Sequence, residues 1–362
     1  MPKLKSLITS FLSSLTHKRT FLTMSSSTTR KVRFLIISDT HNQTLFPADD
    51  KSHTFRHPPP ACDVLLHCGD LTMTGELHEY SRTLSLLASI PAELKLVIAG
   101  NHDLTLDKHW WVNNRNVHRQ GEKGEWQAAH DMWKGQAAKD AGVTYLEEGM
   151  HHFTLKSGAT FKLYASPYQP EFYNWAFPYA HHEDRFNPPG AALSGYQPRH
   201  TQNIADTPIP DWPNVDIVMT HGPPLHVLDQ TERGSDVGCP HLLSAIARAR
   251  PRLHCFGHIH EGWGVERGVW SKAWHPTRPF ASVGSSKPGS TKPFSSIEQV
   301  TLHDMNKSGQ DSAKLVDAEG GWGETAFGES TLFVNAAIMD VEYKPVNAPI
   351  VVDLELPVAG RE

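Results

Sequence analysis

The apolar residues of this chain come in short runs, at 32–37, 64–66, 94–99, 161–165, 215–219, 253–256, 332–334 and 350–356, with polar stretches between them. Runs this short, bounded by Gly, Pro, Asp and Asn, predict buried β-strands. Between the second and third runs, Leu77, Tyr80, Leu84 and Leu87 recur at steps of three and four residues. That spacing predicts a helix with one apolar stripe, able to cover a sheet face. Leu242, Leu243, Ile246 and Ala249 repeat the pattern over 241–250, and Pro251 stops it. Strands alternating with helices predict an α/β domain. Three longer segments interrupt it. Residues 105–140, with Trp110, Trp111, Trp126 and Trp133, are expected to be partly helical. Residues 168–213, rich in Pro, Gly and aromatics, are expected to form an ordered irregular loop, and 285–330, rich in Ser, Gly, Lys and Asp, carry the weakest signal for order.

The polar residues that follow the apolar runs carry the chemistry. The first run leads into Ser38-Asp39-Thr40-His41, the second into His67-Cys68-Gly69-Asp70, and the third into Gly100-Asn101-His102-Asp103. The run at 215–219 leads into Thr220-His221-Gly222-Pro223, and that at 253–256 into Gly257-His258-Ile259-His260. In α/β sheets, ligand sites gather at the carboxyl ends of the strands. A His-x-His in extended backbone points both imidazoles to one side. Taken alone, two histidines among 23 read as a solvated pair, and each other cluster alone reads as a strand-end turn. Taken together, Asp39, His41, Asp70, Asn101, His102, His221, His258 and His260 are the donors of a dinuclear metal site in which one carboxylate can bridge.

The order D-x-H, G-D, G-N-H-D, H-G and G-H-x-H resembles that of the calcineurin-like metallophosphoesterases. Ser38 to His41, 98–102, the THGPPL at 220–225, the HEGWG at 260–264 and the tail 347–354 look like the metallophosphoesterase-domain-containing branch. The resemblance covers most of 32–356 apart from the insertions. It implies a four-layer αββα sandwich of two mixed sheets flanked by helices. It also implies that Asp39, His41 and His260 hold one metal and that Asn101, His221 and His258 hold the other, with Asp70 bridging. Asn101 and His102 then contact substrate, and His102 is the unligated catalytic imidazole. Some members of the branch lack a histidine of the closing motif and are impaired; both are present here. The implied activity is hydrolysis of a small or cyclic nucleotide by a bridging hydroxide, as a phosphodiesterase. Manganese, iron and zinc all suit the donor set, with manganese preferred. Asp103 and Glu261 are candidates to accept the outer N–H of ligand imidazoles. His67, His226 and His254 have no ligand role by position, and Trp263 and Trp270 are expected to pack or anchor loops.

Composition narrows the alternatives. The chain has 362 residues, 39% hydrophobic and 20% charged, with a net charge of −5. Such a balance disfavours long nucleic acids as partners, while a small nucleotide remains compatible. Cys62, Cys68, Cys239 and Cys255 form no C-x-x-C pair and read as reduced thiols of an intracellular protein. Residues 1–31 contain no acidic residue, while Leu4, Leu7, Ile8, Phe11, Leu12 and Leu15 make an apolar stripe among basic and Ser residues. This tail reads as disordered or as a mitochondrial presequence, with Met24 an alternative start; the cytoplasm is the expected compartment and the mitochondrion the alternative. No run is long enough to span a membrane. The domain is expected over 32–356, followed by a short tail at 357–362. Competing readings are a phosphomonoesterase, a nuclease, and a catalytically weak nucleotide-binding scaffold. Arg115 and Arg119 do not make the paired-arginine motif of protein phosphatases, and the H-x-H-x-D-H of metallo-β-lactamase-type hydrolases is absent.

Overall fold

The apolar runs become strands of two seven-stranded mixed sheets in a computed structural model that describes residues 29–114, 125–191, 200–271, 293–304, 313–316 and 327–359. In the first sheet, Thr29–Ile37, Val64–His67, Leu94–Val97 and Val143–Tyr145 run parallel. Ile350–Pro357 pairs antiparallel with Thr29–Ile37, and Lys314–Val316 and Leu302–Asp304 complete that edge. In the second sheet, Thr160–Ser166, Ile217–Thr220, Leu253–Phe256 and Ser330–Asn335 run parallel. Gly149–Thr154 flanks them antiparallel on one side, and Gly264–Trp270 with Phe294–Gln299 on the other.

Alternation along each strand decides which layer a residue joins. Phe34 and Ile36 of the first sheet face Phe161, Leu163, Met219, Leu253 and Val334 of the second, closing an apolar layer between the sheets. Their neighbours Leu35 and Ile37 point outward, against Tyr80, Leu84 and Leu87 of the helix Leu77–Ser89. On the far side, Tyr164, Val218, Phe256 and Phe333 pack on Leu242, Leu243 and Ile246 of the helix Pro240–Ala249. That helix starts with Pro240 at its first turn and Cys239 Sγ accepting from the Leu242 amide at 3.3 Å. It ends at Arg250 in the left-handed region, φ 45°, directly before Pro251. The result is the αββα sandwich.

The interrupting segments take definite places. Residues 105–140 supply the helices Lys108–Asn114, Glu125–Lys134 and Gln136–Asp140, with Trp110, Trp111 and Trp133 buried in the outer layer of the first sheet. Between 168 and 213 the chain makes two short strand pairs, Gln169–Pro170 with Pro178–Tyr179 and Glu183–Asp184 with Gln202–Asn203. Of the described parts of 285–330, Phe294–Gln299 and Leu302–Asp304 form edge strands, and Lys314–Val316 lies next to Leu302–Asp304 in the first sheet. Residues 1–28, Arg115 and Arg119 lie outside the described residues. Cys68, Cys239 and Cys255 are buried, Cys62 partly so, and all four are free thiols. Among the described residues, no helix is long and apolar enough to cross a membrane.

Phe34 is fully buried and meets Phe161 edge-on at 5.7 Å between the sheets. Phe34→Ala is expected to lower the urea midpoint with a loss of about 3–5 kcal/mol. Val112→Ala, at a side chain 53% exposed, should stay within about 0.5 kcal/mol of the parent in the same titration.

Candidate metal centre

The two sheets converge at the carboxyl ends of their parallel strands. Ser38 forms a parallel bridge with Ala337, and its amide donates to Ala336 at 2.9 Å, so the first sheet is stitched to the second at this end. The Asp39 amide donates to the Gly69 carbonyl at 3.0 Å and the His41 amide to the Asp70 carbonyl at 3.1 Å. These bonds hold the first two polar clusters against each other. Across the gap, the Gly257 amide donates to the His221 carbonyl at 2.9 Å. Asp39, His41, Asp70 and His258 all have positive φ, at 53°, 42°, 53° and 68°. Such a conformation is uncommon outside glycine and aims each side chain inward at a cost of about 1–3 kcal/mol. Two glycines are required by space. A Cβ on Gly257 would lie 2.0 Å from Asp39 Oδ2, and one on Gly100 2.3 Å from Asp70 Oδ1.

The donor atoms form overlapping groups. Asp39, His41 and His260 can share an ion, as can Asp39, Asp70 and His221, or His41, Asp70 and His102. The Asp70 carboxylate lies between histidines of the two sheets. Its Oδ2 is 3.6 Å from His41 Nε2, and its Oδ1 is 3.4 Å from His221 Nε2. His260 Nε2 is 3.4 Å from Asp39 Oδ1 and 3.4 Å from His41 Nε2. Asn101 Oδ1 lies 2.8 Å from His221 Nε2. His258 is half-buried, its ring 4.9 Å from that of His221, and its amide donates to the Asp39 carboxylate.

Three imidazoles are oriented through their other nitrogen. His41 Nδ1 is 3.1 Å from the Thr72 carbonyl, His221 Nδ1 2.9 Å from that of Cys68, and His260 Nδ1 2.8 Å from that of Asp340. A carbonyl partner makes Nδ1 the protonated nitrogen, so in the neutral ring the Nε2 lone pair faces the carboxylates and is free to ligate a cation. This is the arrangement a metal ligand needs, and the residues fit a pair of cations. The carbonyls of Thr72, Cys68 and Asp340 do the work expected of Asp103 and Glu261. Asp103 instead takes the amides of Gly100, Leu71 and Thr72 at 2.8, 3.2 and 3.1 Å and the Thr72 hydroxyl at 2.7 Å. It ties the Asp70 loop to the Asn101 loop. Glu261 accepts only from the Glu232 amide, at 3.1 Å, among its described hydrogen bonds.

Electrostatics follow from burial and mutual charge. Burial opposes ionisation of Asp70 and Asp39, yet the imidazoles around them hold both carboxyls well below the usual range. Burial pushes His41 and His258 down to about 3, so both are neutral bases. Burial also acts on His221, but the Asp70 carboxylate beside it raises His221 to about 9. A cation would therefore displace the His221 proton.

His102 sits at the edge of the cluster. Its amide donates to Asp70 Oδ1 at 2.8 Å, and Nδ1 is 2.8 Å from the Met73 carbonyl. Trp175 stacks on its ring at 4.0 Å, and the Tyr343 hydroxyl is 3.4 Å from Nε2. Neither aromatic is near the motifs in sequence, and only the aromatic richness of 168–213 hinted at Trp175. Glu79 was also unforeseen; its carboxylate accepts the amides of Met73, Thr74 and Glu76 at 3.1, 3.1 and 3.0 Å and fixes the loop that supports His102. His67 and His254 bond the hydroxyls of Thr40 and Thr220, each at 2.9 Å, and His226 pairs with Asp236. The indoles of Trp263 and Trp270 donate to the Ala348 carbonyl and the Thr331 hydroxyl, anchoring loop and strand.

A two-sheet sandwich with Asp, Asn and His donors at its strand ends defines a metallophosphoesterase. The calcineurin-like phosphoesterase family matches residues 32–262, and this chain belongs to it. Human and mouse metallophosphoesterase domain-containing protein 1 are each 30% identical to it over 327 residues, 90% of this chain and 72% of theirs. Among solved structures, phosphopantetheinyl hydrolase from Mycobacterium tuberculosis aligns over 66% of this chain and 85% of its own, at 16% identity and a TM-score of 0.33.

Metal binding should register as stability. Chelator-treated protein is expected to gain thermal stability on adding Mn²⁺, by about 2.7 kcal/mol at a hundredfold excess over Kd. Asp70→Asn should abolish the response in the same scan. In metal-free protein, the His221–Asp70 pair contributes stability that is fully present below the ordinary histidine value of 6.5 and lost as pH rises through about 9. Urea midpoints of the chelated protein should therefore fall over that window, and by less in His221→Gln.

Proposed function

We propose that this chain is a dinuclear metal-dependent phosphodiesterase acting on a small or cyclic nucleotide, with residues 32–356 as the catalytic unit. The observation that carries this reading is the Asp70 carboxylate poised between His41 and His221, with the His102 amide bonded to the same group. Asp39, His41 and His260 would hold one cation, Asn101, His221 and His258 the other, and Asp70 both. Two divalent cations there, Mn²⁺ first and Fe or Zn next, supply a water acidic enough to attack near neutral pH and positive charge opposite the phosphoryl oxygens.

The chain's own residues do the rest. Asp70 and Asp39 stay ionised and fix the spacing of the site. Asn101 and His102 follow one another at the end of the strand Leu94–Val97, so the residue offered to substrate is covalently next to a ligand. His102 presents Nε2 because its Nδ1 is committed to the Met73 carbonyl, and the stacked Trp175 limits ring rotation. When the ring is the imidazolium, with a proton on each nitrogen, Nε2 can give its proton to the departing alkoxide or donate to a phosphoryl oxygen, which leaves the neutral ring still bonded to Met73 through Nδ1.

The test is hydrolysis of bis-p-nitrophenyl phosphate with and without added Mn²⁺. Turnover should depend on metal and disappear in Asp70→Asn. His102→Ala is expected to lose about 10²- to 10⁴-fold in kcat while keeping its metal content by elemental analysis. A metal-free His102→Ala would overturn the role given to His102. A folded, metal-loaded protein without turnover would overturn the phosphodiesterase reading and favour the nucleotide-binding or scaffold alternative.

A further inference from the structure

Beside the metal centre stand aromatic rings that packing does not explain. Phe172 and Tyr173 are 53% and 83% exposed, and their rings meet edge-on at 4.4 Å. Phe172 lies 6.2 Å from the His258 ring. On another loop, the Tyr343 ring is 4.8 Å from that of His41 and 5.5 Å from that of His260. A fold that buries most of its other described rings has no packing use for these in water, and exposed apolar groups clustered at a polar site mark recognition.

The backbone agrees. Tyr173, Asn174, Phe177 and Tyr343 have φ of 45°, 57°, 54° and 60°, a conformation these residues seldom adopt. Both loops are held in it by bonds that lead to the metal centre. The Ala176 amide donates to the carbonyl of Asn101 at 3.2 Å, and the Phe177 amide to Asp107 Oδ2 at 2.8 Å. Asp340 Oδ1 accepts the amides of Glu342 and Lys344, each at 2.9 Å, and the Asp340 carbonyl is the partner of His260 Nδ1. The loops that display the rings are thus fastened to residues of the candidate ligand set.

We propose that Phe172 and Tyr173, beside His258, with Tyr343, beside His41 and His260, form the subsite for a planar aromatic ring carried by the phosphoester, a nucleobase when the substrate is a nucleotide. The inference rests on the proposed phosphodiesterase reading and deepens it. Stacking on such rings tolerates every base, because each has a π-face, and is lost with the ring.

Binding to the Mn²⁺-loaded protein, measured by titration calorimetry, tests this apart from turnover. The probes are adenosine 5′-monophosphate, phenyl phosphate and ribose 5-phosphate, which share the phosphate and differ in the ring. Adenosine 5′-monophosphate is expected to bind roughly 5- to 100-fold more tightly than ribose 5-phosphate. That margin should collapse toward unity in the double variant Phe172→Ala/Tyr173→Ala, with ribose 5-phosphate affinity unchanged. Phenyl phosphate following adenosine 5′-monophosphate would make the subsite one for any planar ring; following ribose 5-phosphate, one for nucleobases. Equal affinity of all three for the parent, or a margin that survives the double variant, overturns the proposal. Hydrolysis with no preference for a ring would sink the subsite alone, whereas a ring-dependent affinity without hydrolysis would sink the phosphodiesterase reading alone.

Discussion

Two carboxylates, Asp39 and Asp70, are buried where the two sheets meet, and the architecture of this end of the molecule is arranged around keeping them ionised. Burying an unpaired carboxylate costs several kcal/mol. Here each is met by imidazoles and by backbone amides: His260 and the His258 amide on Asp39, His41, His221 and the His102 amide on Asp70. The partners come from both sheets, so the charges cannot be satisfied unless the sandwich is closed. Closure in turn leaves no room for a Cβ at Gly257 or Gly100. Charge, chain path and residue size are a single constraint at this point of the fold.

The same constraint explains why the ligand imidazoles lean on carbonyls rather than carboxylates. A further anion behind His41, His221 or His260 would add to a cluster that already concentrates negative charge. The carbonyls of Thr72, Cys68 and Asp340 orient the rings without adding any. Asp103, the remaining nearby acid, is kept to amide and hydroxyl donors, and burial with Asp70 nearby raises it to about 7. The protein thus spends its ionised carboxylates where cations would sit and uses neutral oxygen elsewhere.

Much of this was legible in the sequence because buried parallel strands leave two unambiguous marks. One is an unbroken apolar run, the other an abrupt polar cluster where the strand surfaces at the site. Edge strands leave neither, which is why Phe294–Gln299, exposed along most of its length, and the short Leu302–Asp304 were not foreseen; Lys314–Val316, beside the latter, is too short to make a run. Trp110, Trp111 and Trp133 gave away helix but not destination. Residue identity is silent about backbone acceptors, since any residue can offer the carbonyl that Thr72, Cys68 and Asp340 provide. Nor could spacing bring Trp175 and Tyr343 to His102, because they arrive on loops 73 and 241 positions away or more only through the closure of both sheets.

The left-handed backbone at His258 has a consequence for how such a site decays. A glycine there would adopt φ near 68° without steric objection, and the half-buried ring it removes leaves little of the core disturbed. The same change deletes one of the donors. Loss of catalytic competence at this position is therefore not opposed by folding, and relief of strain can even favour it. Other ligands are protected by burial against so cheap a loss: Asp70 and His221 are walled in on every side. Selection that relaxed on this protein's chemistry while retaining its shape would be felt first at His258, and a silent, well-folded descendant is the natural end of that path.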